Sequence, residues 1–247
     1  MILREIRARS ILTKSQVADY TINPYVGCQH CCTYCYARFM KRFTGHREPW
    51  GEFVDVKINA PDLLRKEING KPPGRVWTSG VCDPYQPIEK KYELTRKCLE
   101  TLVVRGWPIT VQTKSPLVLR DTDLFRRSDN IEVGLSIATA DDEIRKQFEP
   151  NAPSIKERIN ALGELHHEGI RTYAMIAPML PGAEGLAAQL SGKVHYVLID
   201  RMNYHYGDWV YRKHHLEAAM SYGFFRSKGK ELVGAFAEQG IECRLLF

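Results

Sequence analysis

The 247-residue chain has no apolar run approaching the length of a membrane span. It also has no internal repeat, no low-complexity tract and no Ser/Gly linker. Membrane-embedded, solenoid and disordered classes are therefore excluded as expectations, and one folded domain over residues 1–247 is expected. The opening MILREIRARSILTK is too charged to be the apolar part of a secretory signal, so a cytoplasmic location is expected. No charge of one sign dominates. The net charge of +6 tolerates a phosphate-bearing partner but is far from a nucleic-acid footprint by itself. With 44% hydrophobic and 26% charged residues, the composition is that of an ordinary globular protein.

Cysteine is the exception. There are seven, an odd number, and four of them fall within Cys28–Cys35 in the stretch NPYVGCQHCCTYCYARF. Thiols this crowded do not form a disulfide framework; in a reducing compartment they point to metal or redox chemistry. Cys98, on the apolar side of a helical stretch, and Cys243, near the C-terminus, are expected to be core thiols.

Downstream of the cluster, apolar β-type runs alternate with helical patterns. The runs VADYTIN (17–23), GRVWTSG (74–80), PITVQTK (108–114), IEVGLSIAT (131–139), IRTYAMIAP (170–178), KVHYVLID (193–200) and IECRLLF (241–247) read as strands. Residues 60–68, 92–106, 117–128, 154–169, 208–221 and 225–240 read as helical, and residues 43–57 as a loop. Such alternation predicts an α/β fold with a parallel sheet and right-handed crossovers. Periodicity leaves a doubly wound sheet and an open or partial barrel equally possible. In either, ligands gather at the carboxyl ends of strands. That directs attention to Cys28–Cys35, Ser79–Gln86, Thr113–Ser115, Ser136–Thr139, Pro178–Gly182 and Asp200–Tyr206.

Cys28, Cys32 and Cys35 form CxxxCxxC. Three thiolates suit zinc or an iron–sulfur cluster. A structural zinc site takes four ligands, usually as two separated pairs, and the chain has no second CxxC or HxxxH pair. Cys31 or His30 could be a fourth ligand, but neighbouring residues rarely reach one ion together with Cys32. Cys31 also makes a CxxC with Cys28 and a CxxxC with Cys35; only Cys32 gives the whole pattern with Tyr34 just before the third cysteine. Three sulfurs on a four-iron cubane would leave one iron open to a small molecule.

With Tyr34 in place, the spacing resembles the radical S-adenosylmethionine superfamily. The stretches CDPYQPIEKKYELTR, TKSPLVLRD, LSIATADDE and FEPNAPS resemble its spore photoproduct lyase-like branch. The resemblance implies a partial (β/α)6 TIM-type barrel with a core of about residues 17–206 and a C-terminal extension over 207–247. It implies a [4Fe-4S] cluster on Cys28, Cys32 and Cys35, whose open iron is chelated by the amino and carboxylate groups of S-adenosylmethionine. One electron from a low-potential donor of ferredoxin or flavodoxin type then cleaves the sulfonium, and the 5′-deoxyadenosyl radical abstracts hydrogen from a substrate.

The resemblance also implies residue roles. Tyr34 lies by the adenine. Cys82 and Asp83 approach the amino group. Lys114 and Ser115 hold the carboxylate or ribose, Ser136 contacts the ribose, and Glu149 supports the cofactor, with Arg158 as its partner or as an ordinary helix salt bridge. Cys82 is a candidate hydrogen-atom donor, although the thiol sits one place later than the lyase's donor, where Val81 stands. Arg201, Asn203, Tyr204, His205 and Tyr206 are expected at the open mouth. The substrate could be a lesion in DNA, or RNA, a protein or a metabolite. Arg38, Lys41, Arg42 and Arg47, interleaved with Phe39, Phe43 and Trp50, could track phosphates and stack bases. Two rivals from other classes are a zinc-bearing nucleic-acid-binding module and an iron–sulfur electron carrier.

Overall fold

A computed structural model describes residues 1–247. Eleven strands form in chain order: β1 (Ile2–Ile6), β2 (Thr13–Lys14), β3 (Tyr20–Ile22), β4 (Tyr25–Val26), β5 (Phe53–Lys57), β6 (Val76–Thr78), β7 (Ile109–Thr113), β8 (Ile131–Ser136), β9 (Arg171–Ile176), β10 (Tyr196–Ile199) and β11 (Glu242–Leu245). Eight of them make the main sheet, in the order β11-β10-β9-β8-β7-β6-β3-β2. Every pair from β3 to β11 is parallel, and only the short β2 runs antiparallel, against β3. The edges β2 and β11 do not pair, so the sheet is an open, partial barrel.

The strands expected from the sequence are all present; most are short apolar runs buried between neighbours, whereas β11 is a half-exposed edge strand. Ile22, Thr78, Val111 and Val133 are register partners across four adjacent strands and are fully buried. Outside them run helices such as Leu94–Val104 and Ile155–His167. The latter starts in a capping box, with Ser154 and Glu157 each satisfying the other's backbone N–H. The C-terminal helix Tyr222–Glu238 returns the chain to β11, which extends the sheet beside β10.

Three local expectations are corrected. Residues 43–57 are not all loop: β5 pairs parallel with β1 and antiparallel with β4 in a second, three-stranded sheet. Its alternating FVDVK was hidden by the Gly/Pro-rich residues before it. Residues 117–128 are not one helix but a 3-10 segment, Pro116–Asp121, and a single α-turn, Thr122–Phe125. The tightened turn puts the buried Asp121 carboxylate among Tyr85 Oη, Arg96 and Arg120. Helix Asp208–Lys213 also stops early. His215 adopts a left-handed conformation, and Leu216 N–H closes back onto Tyr211 O.

The second sheet backs the cysteine stretch. Gly27 has φ of +91°, and a Cβ there would lie 2.2 Å from Phe53 O on β5. No side chain fits without moving that backbone. Gly27→Ala is therefore expected to destabilise the fold by about 1–3 kcal/mol. In a thermal melt this is a drop of roughly 2–10 °C; an unchanged midpoint would contradict the close approach.

Candidate cofactor site

The cysteine stretch lies across the carboxyl ends of the strands, held by hydrogen bonds from two directions. Toward the loop after β6, Gln29 and Gln86 exchange contacts: Gln29 N–H donates to Gln86 Oε1 at 2.9 Å, Gln86 Nε2 donates to Gly27 O at 3.2 Å, and Ile88 N–H donates to Gln29 Oε1 at 2.6 Å. Toward the end of helix Asp142–Phe148, Thr33 N–H and its hydroxyl both donate to Phe148 O. Arg38 reaches back and donates to the carbonyls of Thr33 and Cys35.

This clamp sets the orientation of the thiols. Cys28, Cys32 and Cys35 border one cavity of about 270 Å³. Cys31 does not. It takes a positive φ of 54° and turns its sulfur to the opposite side, against Gly51, where a Cβ would sit 2.4 Å from the sulfur. All seven cysteines are free. No three Cys, His, Asp or Glu groups converge at the spacing a single ion needs. The three thiols share the wall of that cavity. Burial pushes the Cys28 thiol well above its ordinary value and Cys32 up to about 12, so both carry their proton at neutral pH.

Asp83, in the loop after β6, also borders the cavity, but its carboxylate is already occupied. Oδ1 accepts from Thr113 Oγ1 at 2.5 Å and Tyr85 N at 2.9 Å; Oδ2 accepts from Lys114 N at 2.7 Å and stands 3.2 Å from His30 Nε2. Burial would raise this carboxyl, but His30 and the donated hydrogen bonds outweigh it and hold it at about 2. Asp83 thus joins three loops, with three donated hydrogen bonds already on its carboxylate.

A second buried group lies behind the wall. Glu149 ends helix Asp142–Phe148 and is fully buried, as is Arg158, whose Nη2 is 2.5 Å from Glu149 Oε2. Tyr34 Oη donates to Glu149 Oε1, and Lys114 Nζ lies 3.8 Å from the same oxygen and 5.7 Å above the Tyr34 ring. Burial would raise the Glu149 carboxyl, yet Arg158 and Lys114 keep it below its ordinary value. Two cations thus face one carboxylate. Lys114 is the one that borders the cavity, so its ammonium is available to an anionic ligand.

Of the remaining expected residues, Tyr34, Cys82 and Ser136 are on the wall. Ser136 Oγ accepts from Gln112 Nε2 at 3.1 Å. The Cys82 thiol donates to Ser79 Oγ at 3.5 Å, and burial pushes it up to about 12. Ser115 is not on the wall. It is the N-cap of segment Pro116–Asp121, its hydroxyl accepting from Leu117 N, so a direct ligand contact is replaced by a capping role. Glu149 likewise sits behind Tyr34 and Lys114 rather than on the surface of the cavity. Arg201, Asn203 and Tyr204 border the cavity; His205 and Tyr206 stand outside it. Sequence reasoning missed Gln112, Met175 and the Gln29–Gln86 pair. Gln112 and Met175 had a signal in their place near strand ends, but an amide pair 57 residues apart has none.

An open parallel sheet with a thiol-lined cavity at its carboxyl end defines a cofactor-dependent α/β enzyme. The family model of the radical SAM superfamily matches residues 22–184, and the chain belongs to that superfamily. An uncharacterized protein of Methanocaldococcus jannaschii is 46% identical over 170 residues, covering 68% of this chain and 63% of that protein. A Pseudomonas phage M6 protein named radical SAM Nα-GlyT isomerase is 26% identical over 181 residues, covering 72% and 36%. The chain spans about 56–63% of the length of the first curated relatives it matches. A cysteine-to-alanine mutant of spore photoproduct lyase with dinucleoside spore photoproduct has a similar fold, with a TM-score of 0.70 at 19% identity over 98% of this chain and 82% of that one. A double mutant of that lyase with bound AdoMet and dinucleoside spore photoproduct gives 0.66, also at 19% identity, over 98% and 81%. No helix is long and apolar enough to cross a membrane.

The depressed Asp83 carboxyl contributes stability that is present above its ordinary value of 3.8 and is lost as pH falls toward about 2. Asp83→Asn keeps the shape and removes the charge. The stability of the variant, from urea midpoints, is expected to be lower at neutral pH and to fall less steeply between pH 4 and 2 than that of the parent. Parallel acid limbs would show that the carboxylate is not held by its neighbours.

Proposed function

We propose that Cys28, Cys32 and Cys35 hold a [4Fe-4S] cluster and that the adjoining cavity takes S-adenosylmethionine. The observation that carries this is the shared wall formed by these thiols, with Cys31 turned out of it. The donor set fits: sulfur ligands on one side, a cavity-facing ammonium at Lys114, and a hydroxyl at Ser136. When bound, cluster and S-adenosylmethionine together supply one-electron cleavage of the sulfonium and a 5′-deoxyadenosyl radical that abstracts hydrogen from the substrate.

The chain's own residues bind, orient and exclude water. Tyr34, fixed by Glu149, offers its ring to the adenine. Lys114, held by the same carboxylate, meets the methionine carboxylate. Ser136 meets the ribose. Ser115 and Asp83 act indirectly, through the turn and the backbone that place Lys114. Cys82 keeps its S–H at neutral pH, which is the form that can return a hydrogen atom to a substrate radical. A low-potential ferredoxin or flavodoxin is the class of electron donor required.

The mouth favours a nucleic-acid substrate, as in a spore photoproduct lyase-like repair reaction. Tyr36, Tyr204 and Tyr206 form a parallel ladder with 6.0 Å between successive ring centroids, and the Arg38 guanidinium caps it 4.5 Å from Tyr206. All three rings are exposed, and Tyr36 and Tyr204 also border the cavity. Arg42 lies over the exposed Phe39 and Phe43 nearby. Aromatic faces beside guanidinium groups match unstacked bases and their phosphates. RNA, a protein or a metabolite is the alternative.

Anaerobic reconstitution is expected to give a brown protein with about four irons per chain that forms 5′-deoxyadenosine when reduced. Cys31→Ala should retain iron and turnover, whereas Cys32→Ala should lose both; full turnover in Cys32→Ala would overturn the ligand set. Among ultraviolet-damaged DNA, undamaged DNA, RNA and cell extract, damaged DNA should raise adenosyl turnover most. Its binding should weaken with salt and, in Tyr204→Ala, fall by about 1–3 kcal/mol. Stimulation by extract alone would favour the alternative.

A further inference from the structure

Trp50 is not presented to solvent with the exposed Phe39 and Phe43. It follows Pro49 in a tight turn, closed by Glu52 N–H onto Pro49 O at 3.1 Å. Gly51 supplies the third position of that turn with φ of +100°, a conformation that favours glycine. The turn packs directly on the cysteine stretch. The Cys31 thiol donates to Trp50 O at 3.9 Å, and a Cβ on Gly51 would collide with the same sulfur. The Trp50 ring is half-buried and stands edge-on to Phe53, with centroids 5.7 Å apart and planes at 88°.

The polar atom of this ring is left over. Nε1 is shielded from solvent and has no hydrogen-bond partner. A buried indole N–H ordinarily finds one, and an unpaired donor costs about 1–3 kcal/mol. The acceptor toward which this N–H is directed is the Cys35 sulfur, although the contact is too loose for a full hydrogen bond. Cys35 borders the cavity and Trp50 does not, so the indole approaches the sulfur from outside the cavity. A thiol sulfur is a weak acceptor, which fits the loose contact. A metal-bound thiolate carries negative charge and accepts more strongly. Such a bond stabilises the electron-rich state of a cluster, because charge added to the irons spreads onto their sulfurs, and hydrogen bonds to the sulfurs are among the factors that set cluster potentials.

We propose that Trp50 is a positioning residue for the cluster, its indole N–H donating to Cys35 Sγ once that sulfur is a metal-bound thiolate and so raising the reduction potential. The inference rests on the radical SAM reading of the cavity. It gives the turn after the cysteine stretch an electronic task as well as a structural one. Trp50 brings the cluster within reach of its electron donor and does not touch S-adenosylmethionine.

The test uses the full chain after anaerobic iron–sulfur reconstitution, without S-adenosylmethionine and with iron content measured for each variant. The midpoint potential of the cluster is read from a redox titration followed by electron paramagnetic resonance. Trp50→Phe keeps an aromatic ring and removes the donor. A second variant carries 3-benzothienylalanine in place of Trp50, in which sulfur replaces the N–H and the bicyclic shape is kept. Both should load iron as the parent does and have midpoints about 60 mV more negative, a tenfold change for one electron. An unchanged or more positive midpoint in the benzothienylalanine variant overturns the proposal. So does a shift in Trp50→Phe alone, because packing or water entry would then be the cause. Failure of both variants to load iron also overturns it, since the ring would then be a structural support. If only Trp50→Phe fails to load, the isosteric variant decides by the same criterion. A parent chain that assembles no four-iron cluster refutes the underlying reading instead.

Discussion

One buried carboxylate organises the carboxyl end of the sheet. Asp83 receives the hydroxyl of Thr113 and the backbone N–H of Lys114 from the loop after β7, the N–H of Tyr85 from its own loop, and the ring of His30 from the cysteine stretch. A buried anion is tolerated only when enough donors surround it. The folding of these loops and the burial of this charge are therefore the same event. This hub borders the same cavity as the three thiols, and the Gln29–Gln86 exchange fixes the cysteine stretch at a second point. The second sheet, where β5 passes within reach of Gly27, supplies the outer support.

A second buried charge cluster complements the first. Glu149 is shared by Arg158, Lys114 and Tyr34, so the residues expected to touch adenine and carboxylate are held by one group that touches neither. The arrangement leaves an uncompensated positive charge next to a set of thiols. That combination favours an anionic occupant, which a thiolate-bound cluster with a ligand carboxylate would provide. The wall is fitted to its occupant by electrostatics as much as by shape.

The strands were legible because parallel strands buried on both faces are written as short β-branched runs between turns, as in ITVQT and IEVGLS. Cys28, Cys32 and Cys35, grouped by their spacing in the sequence, border one cavity, whereas Cys31, one position away from Cys32, has its side chain against Gly51. Where competing signals met, the sequence was less informative. The strand FVDVK followed a stretch rich in Gly and Pro, and the helical pattern of residues 117–128 was overridden by the buried Asp121. Functional types were visible, but partners were not. Asp83 had the chemistry for an amino-group contact, and only the structure shows three protein donors on its carboxylate. Ser115 had the chemistry for a ligand hydroxyl and is a cap. Trp50 carried no signal beyond its position, because an unpaired nitrogen is a property of the folded environment.

The central claim is that a trio of thiols holds a cubane with one iron left for a small molecule. Mössbauer spectroscopy of protein reconstituted with 57Fe, recorded with and without S-adenosylmethionine, tests it most directly. The account predicts a [4Fe-4S] signature in which one iron site changes on addition of the ligand while the other sites do not. Four equivalent irons that ignore the ligand, or a mononuclear centre with a complete coordination shell, would contradict it.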